Sequence, residues 1–126
     1  MMWLKRKTVN LTESVANQKM NFNNLLEKHL KLYSEKCDEE SVISDANEIL
    51  SALRDEFNLS KSDVAIIWLL LLSFSKKDIC LTLNIGENYY HQRRTKIRKV
   101  LNFDSTRKLE NDLKTFVPEY LSEHYS

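Results

Sequence analysis

The stretch that decides the fold is residues 59–101, which read LSKSDVAIIWLLLLSFSKKDICLTLNIGENYYHQRRTKIRKVL. Near its start, Ser60 and Asp63 have the spacing of a capping box, in which a serine hydroxyl and a carboxylate three residues later satisfy free backbone N–H groups at the start of a helix. Residues 64–72 then form an uninterrupted apolar run. This pattern predicts a helix over about 61–73 that other parts of the protein cover on every side.

A second capping-box pattern occupies residues 75–78 and predicts a short helix over about 76–83. Asn84 follows this helix, and asparagine tolerates left-handed backbone geometry better than most residues other than glycine. Ile85 is expected to fill the space between this helix and the next. A longer helix is predicted over about 87–101, with one apolar face and one basic or polar face. Helices of this order and spacing are typical of a tri-helical helix-turn-helix.

Helices are also predicted on both sides of this stretch. A broad apolar stripe indicates a helix over about 12–36, and another helix follows an acidic first turn over about 39–57. A last helix is predicted over about 105–116, and Pro118 is expected to end it. The stripe of the first helix consists of Val15, Phe22, Leu25, Leu26, His29, Leu30, Leu32 and Tyr33.

The composition agrees with an all-helical chain. Its 126 residues include one glycine and one proline, which are too few turn residues for a β-sandwich or barrel and too few glycines for a glycine-rich phosphate loop. We predict an all-α fold of five to six helices, with an N-terminal pair of amphipathic helices and a C-terminal tri-helical or tetra-helical helix-turn-helix. The predicted organisation is an N-terminal packing or dimerisation region (1–57), a helix-turn-helix domain (58–117) and a tail (118–126).

Other classes of function find no support in the sequence. Cys37 and Cys80 are expected to be reduced, and the histidines have no cysteine or carboxylate at ligand spacing, so we predict no metal site and no cofactor. Without paired catalytic carboxylates or a nucleophile motif, we predict that the protein is not an enzyme. The longest apolar run has nine residues, far fewer than the ~20 that span a bilayer, and this favours a cytoplasmic protein.

The charge pattern is more informative than the net charge of +1. Residues 37–60 carry a net charge of −6, whereas residues 75–101 carry +5. A basic segment in an otherwise neutral chain is typical of an electrostatic footprint for nucleic acid, although a solvated helix face has the same composition. For Arg94 and Arg98, a solvated position and pairing with the acidic helix 39–56 both remain open beside a DNA contact.

Three parts of residues 57–103 have a residue order that occurs together in one group of DNA-binding domains. They are the start Leu59-Ser60-x-x-Asp63, the segment from Ser75 to Ile85, and the closing run Arg94-x-Lys96-Ile97-Arg98-Lys99. Together they resemble the LuxR-type helix-turn-helix of bacterial transcription regulators, and most closely the version found at the C-terminus of sensor-linked regulators. The chain departs from that family at Gly86, where serine is usual, and at Tyr89-Tyr90, where a threonine–valine pair is usual.

The resemblance implies that helix 87–101 lies in the major groove of double-stranded DNA. Outward-facing residues of that helix would then read base edges, and basic residues around it would contact phosphates. The implied base-reading residues are Asn88, His91, Gln92 and Thr95. The implied phosphate contacts are Ser75, Lys76, Lys77, Arg93, Lys96 and Lys99. The predicted function is therefore a sequence-specific transcription regulator.

Expectations about partners follow from this function. A homodimer is expected through the N-terminal helices or helix 105–116, with RNA polymerase or a regulatory protein as a further partner. The alternative function is a helical protein-interaction module that keeps the fold without binding DNA, in which the acidic segment 37–60 covers the basic helix or imitates nucleic acid. In a variant of the first function, the chain is the output domain of a membrane-anchored sensor, and only then is a membrane expected nearby.

Overall fold

The computed structural model describes the backbone of residues 11–125 and the side chains of residues 21–124. Seven helices occur within residues 11–125. The helices are α1 (Leu11–Glu35), α2 (Glu39–Ile49), α3 (Ser51–Glu56), α4 (Lys61–Leu71), α5 (Lys76–Leu83), α6 (Glu87–Leu101) and α7 (Leu109–Tyr125). No strand occurs in residues 11–125, so the predicted all-α class is confirmed. Helices α4, α5 and α6 lie within two residues of their predicted bounds.

Helix α4 is the centre of the fold because its surface is apolar all round. It begins at a complete capping box: the backbone N–H of Asp63 donates to Ser60 Oγ, and the backbone N–H of Ser60 donates to Asp63 Oδ2, each at 3.1 Å. Every residue from Asp63 to Leu71 is buried, and α2, α5, α6 and α7 pack against this helix. The prediction that α4 is covered on all sides is therefore confirmed.

One hydrophobic cluster includes residues from both predicted regions. Val42 and Leu53 come from residues 1–57, and Ile67, Ile97 and Leu113 come from residues 58–117. The two regions therefore share a core, and the boundary near residue 57 separates segments of sequence rather than separate cores.

The predicted helix over 39–57 is interrupted, and this break is why the structure has seven helices rather than five to six. Helix α2 ends at Ile49, and the backbone angles of its C-cap residue Leu50 (φ −104°, ψ 24°) leave the α-helical range. Leu50 is completely buried. Helix α2 packs against α4, whereas α3 packs against α7, so the break lets each half bury its apolar side against a different neighbour.

Only part of the predicted apolar stripe of α1 faces the core. Phe22, His29 and Tyr33 are buried, whereas Leu30 and Leu32 are 43% and 47% exposed. The three buried residues share one narrow helix face, and the two leucines lie on either side of it. The prediction is wrong for those two leucines, and Val15 lies outside the residues whose side chains are described.

A chain of hydrogen bonds joins α1, α2 and α4 inside the protein. The Trp68 Nε1–H donates to the Tyr33 hydroxyl at 3.0 Å, and that hydroxyl donates to Asp45 Oδ2 at 2.6 Å. Burial, reinforced by the bond to Asp45, raises the pKa of Tyr33 well above its ordinary value. The hydroxyl therefore stays protonated and satisfies both of its polar neighbours.

Helix α7 begins later than predicted, at Leu109 rather than near residue 105. The Asp104 carboxylate accepts a hydrogen bond from the backbone N–H of Thr106 at 2.9 Å, which stabilises a turn instead of a first helical turn. The backbone N–H of Asp112 donates to the carbonyl of Lys108 at 3.2 Å, where the helical hydrogen bonding starts.

Helix α7 also runs through Pro118, so the prediction that Pro118 ends the last helix is wrong. A proline inside a helix removes one backbone hydrogen bond and crowds the preceding turn. Val117 and Leu121 beside it are buried, and α7 packs against α1 and α4. This burial offsets the cost of the proline, so residues 118–125, which were expected to form a tail, belong to the packed helix.

Candidate nucleic-acid interface

The turn between α5 and α6 has the geometry that its residues predict. Asn84 has left-handed backbone angles (φ 55°, ψ 48°), as expected. The backbone N–H of Ile85 donates to the carbonyl of Cys80 at 3.0 Å, and Ile85 is partly buried against the core. Gly86 is the N-cap of α6, with φ −79° and ψ 162° and no side-chain cap. The turn thus closes α5 and starts α6 within three residues.

Helix α6 turns one face to the core and the other to solvent. Tyr90, Ile97 and Leu101 are buried, and α6 packs against both α4 and α5. The four predicted base-reading residues occupy positions i, i+3, i+4 and i+7, which places them on one face of a helix. All four are exposed, and they are Asn88, His91, Gln92 and Thr95.

Thr95 has a local partner on this exposed face. Its hydroxyl donates to the backbone carbonyl of His91, one turn earlier, at 3.1 Å. With the hydroxyl hydrogen committed to the helix, the methyl group of Thr95 is left for apolar contacts.

The predicted phosphate contacts fall into two groups. Lys77 and Lys99 are exposed, and neither forms an ion pair with another described residue. Lys76 Nζ donates to Glu87 Oε1 at 2.6 Å, and this bond raises the pKa of Lys76. Ser75 caps α5 by accepting from the backbone N–H of Asp78 at 3.1 Å. The second group therefore has partners within the protein.

Arg93 and Lys96 both face the buried carboxylate of Asp63. Arg93 donates from Nε to Oδ1 at 2.6 Å and from Nη2 to Oδ2 at 2.8 Å. Lys96 Nζ lies 3.4 Å from Oδ2, and its side chain is 40% exposed. Because Arg93 is bound in this bidentate way, its first role is to hold α6 against the start of α4.

Asp63 has no exposed side-chain surface. Burial by itself would raise the pKa of this carboxyl, but the hydrogen bonds from Arg93 and from the Ser60 backbone outweigh it and hold the pKa below its ordinary value. Asp63 is therefore a buried anion with a nearly complete set of donors. Removing one partner of such a pair strongly destabilises the folded protein, because a buried charge is left uncompensated.

Sequence reasoning identified Asp63 only as a capping residue and missed its contact with α6. One signal was available: Asp63 opens a helix whose next nine residues are apolar. An acid at such a position is buried, and a buried charge requires a partner. The sequence alone could not select Arg93 from the neighbouring basic residues of α6.

Arg94 and Arg98 are bound at the start of α7 rather than by the acidic helices α2 and α3. Arg94 Nη2 lies 3.0 Å from Glu110 Oε1, and its Nη1 donates to the Tyr90 hydroxyl at 3.0 Å. Arg98 Nη2 donates to the backbone carbonyl of Arg107 at 3.2 Å. These contacts connect α6 to the segment that follows it, so the expected alternative of pairing with helix 39–56 is wrong.

Comparisons with protein-family models, with curated proteins and with solved structures find no match to this chain. Within residues 11–125, no helix combines the length and the apolar character needed to cross a bilayer. Among residues 21–124, whose side chains are described, no group of three or more His, Cys, Asp or Glu side chains is placed to hold a metal ion.

Proposed function

We propose that this chain is a sequence-specific regulator of transcription that binds double-stranded DNA with α6 in the major groove. The observation that carries the proposal is the exposed face of α6, where Asn88, His91, Gln92 and Thr95 stand together on a helix whose opposite face is packed against α4 and α5. A rigid helix with polar side chains on its free face suits the major groove, which admits one α-helix. The LuxR-type resemblance of residues 57–103 supports the same assignment.

Each residue has a role that follows from its chemistry. The Gln92 amide matches the N6 and N7 edge of adenine, and the Thr95 methyl group suits the methyl group of thymine. Asn88 and His91 complete the base-reading face. Lys77 and Lys99, which have no ion-pair partner among the described residues, bind phosphates and position the helix without specifying sequence.

The remaining phosphate contacts are made by residues that are also held by the protein. Lys96 keeps part of its side chain exposed beside Asp63, and Lys76 lies at the start of α5 beside Glu87. Arg93 contributes to DNA binding mainly by holding α6 in position through its bond to Asp63. Ser75 offers backbone N–H groups at the start of α5, where a helix favours anions.

The proposal includes a homodimer in the cytoplasm, with the N-terminal helices or α7 as its interface and with RNA polymerase or another regulatory protein as a further partner. A dimer would place two α6 helices on two half-sites about one helical turn apart. Crosslinking of the protein on DNA fragments with one or two half-sites measures this stoichiometry directly.

A salt titration of duplex binding tests the function. Each phosphate that the protein neutralises contributes about −0.9 to the slope of log affinity against log salt, so a regulator of this kind has a steep negative slope. A flat slope, or no binding at low salt, contradicts the proposal.

Lys77→Ala is expected to weaken binding to all sequences alike, and the matched control Lys31→Ala, at an exposed position of α1, is expected to leave binding unchanged.

Sequence preference needs a separate measurement. Gln92→Ala is expected to reduce discrimination at one base pair by about 1 kcal/mol, with little loss of affinity for unrelated DNA. Equal losses on all sequences would assign Gln92 to positioning rather than to reading.

The alternative function is a helical interaction module that has this fold and does not bind DNA. One form of it, in which the acidic segment covers the basic helix, is disfavoured because the ion pairs of α6 among the described residues go to Asp63, Glu87 and Glu110. The other form, in which the acidic segment imitates nucleic acid, predicts co-purification with a protein partner and no retention on heparin.

A further inference from the structure

Glu87 is one of two acidic residues in the basic segment 75–101, and the other is Asp78. It is the first residue of α6, and its side chain is 62% exposed. Its Oε1 accepts a hydrogen bond from Lys76 Nζ at 2.6 Å and lies 3.7 Å from His91 Nε2. The bond from Lys76 is the main reason that the pKa of Glu87 lies below its ordinary value, so the carboxylate remains ionised.

The contacts of Glu87 fix where this negative charge lies. Lys76 belongs to α5 and His91 lies one turn further along α6, so the carboxylate connects the start of α5 with the exposed face of α6. His91 is one of the four residues assigned to base reading, and Glu87 precedes it by four positions, on the same side of the helix. In helix-turn-helix proteins, the N-terminal residues of the recognition helix contact base edges.

A carboxylate in this position has a narrow choice of DNA partners. It repels phosphates, and an ionised carboxylate can only accept hydrogen bonds. Guanine offers two acceptors in the major groove, and thymine offers an acceptor and a methyl group, so neither can bind it. Cytosine presents its N4 amino group as a donor, whereas the amino group of adenine stands beside the acceptor N7. Cytosine is therefore the base that suits a carboxylate best.

We propose that Glu87 is a specificity-determining residue that accepts a hydrogen bond from the N4 amino group of a cytosine in the major groove. Lys76 is a positioning residue in this arrangement, since its ammonium group holds the carboxylate at 2.6 Å and offsets part of the repulsion between that carboxylate and DNA phosphates. The inference rests on the proposed function, because it needs α6 in the groove, and it adds a base contact that neither the capping pattern nor the charge count indicates.

The experiment is a selection of duplex oligonucleotides from a random library by the full chain, followed by sequencing of the bound fraction. The wild-type protein is expected to enrich cytosine at one position. In Glu87→Gln that enrichment is expected to fall about tenfold and to shift toward adenine, whose edge suits an amide. The other positions of the site are expected to stay the same. Glu48→Gln removes the same charge from an exposed position of α2 and is expected to leave the selected site unchanged.

A second variant separates base reading from simple repulsion. Glu87→Asp keeps the charge and withdraws the carboxylate by one methylene, so it is expected to lose the cytosine enrichment about as fully as Glu87→Gln. If Glu87 acted only by repelling phosphates, Glu87→Asp would behave like the wild type, and Glu87→Gln would bind all sequences more tightly by one common factor. Either result overturns the inference.

The failure of this inference and the failure of the proposed function give different results. If the wild-type protein and Glu87→Gln select the same site, Glu87 does not read a base, and the proposed function is unaffected. If the wild-type protein enriches no duplex sequence at all, the proposed function fails and the inference fails with it.

Discussion

The inner and outer sides of α6 both carry positive charge, but the protein uses that charge differently on each side. On the inner side, Arg93 and Arg94 are bound to Asp63 and Glu110, which belong to other helices. On the outer side, Lys99 is exposed and has no ion-pair partner among the described residues. The inner cations hold the helix in place, and the outer cation remains available for a ligand.

This contrast changes how the charge of the segment is understood. The net charge of +5 over residues 75–101 overstates the number of basic side chains that are free to bind DNA phosphates. Several of these side chains form ion pairs with carboxylates of the protein itself. Geometry, rather than the count of basic residues, separates the two groups: arginine forms two parallel hydrogen bonds to one carboxylate, whereas lysine is a single flexible point charge.

The largest expected effect comes from replacing Asp63, the carboxylate of α4 that binds Arg93 on the inner side of α6. Asp63→Ala is expected to lower the free energy of unfolding by about 3 kcal/mol, because it leaves the largely buried Arg93 without its partner and removes half of a capping box. Urea denaturation followed by circular dichroism measures this change. The matched control Glu48→Ala, at an exposed site of α2, is expected to remain within about 0.5 kcal/mol of the wild type. Equal effects of the two variants would contradict a structural role for the Asp63–Arg93 pair.

Lowering the pH is expected to disrupt the same Asp63–Arg93 pair by protonating Asp63. The folded-state pKa of Asp63 lies below its ordinary value, which is about 3.9 in an unfolded chain. The stabilisation that Asp63 contributes is therefore complete above that pH and is lost as the pH falls through the folded-state pKa. We expect the free energy of unfolding to decrease less steeply below about pH 4 in Asp63→Asn than in the wild type. Parallel slopes in urea denaturations across this range would show that Asp63 is not the linked group.

The exposed lysines, Lys99 on the outer side of α6 and Lys77 on α5, are expected to respond in the opposite way. Replacing Lys77 and Lys99 together by alanine is expected to change the free energy of unfolding by less than about 0.5 kcal/mol. The same double variant is expected to reduce the magnitude of the salt slope of DNA binding by about 1 for each lysine. A loss of stability comparable to that of Asp63→Ala would mean that the two sides do not differ.

The smallest expected effect concerns Gly86, where α6 begins. Gly86 has a negative φ, and a Cβ atom added there would have no atom within 4 Å apart from its own residue and the two adjacent ones. Gly86→Ser supplies the missing N-cap hydroxyl and is expected to raise the free energy of unfolding by a few tenths of a kcal/mol. Thermal unfolding detects a change of this size as a shift of about 1–3 °C. A clearly destabilised variant would indicate a different conformation of the turn.

Local features of the fold were predictable because each depends on a few neighbouring residues. The capping box at Ser60 and the left-handed conformation of Asn84 arise from side-chain and backbone chemistry within one turn, and both are confirmed. The common face of the four base-reading candidates follows from helical spacing alone. What these residues bind stays a prediction.

Two features of the fold could not be predicted because local and long-range preferences disagree there. At Leu50 the sequence continues a helical pattern, yet the helix breaks where α2 and α3 pack against different neighbours. At Pro118 the local preference is to stop, yet burial of Val117 and Leu121 keeps the helix intact. In both places, the apolar surface that packing buries outweighs the local preference.

By itself, the sequence determined the helical class, the central position of α4, and the turn that joins α5 to α6, since composition, an unbroken apolar run and capping chemistry act over short distances. Tertiary structure decided which charges of α6 are bound and which are exposed. Arg93 is separated from Asp63 by thirty residues, and only the packing of α6 on α4 brings the guanidinium within 2.6 Å of that carboxylate. A buried carboxylate binds a donor that the fold places beside it, and spacing along the chain carries no information about that choice.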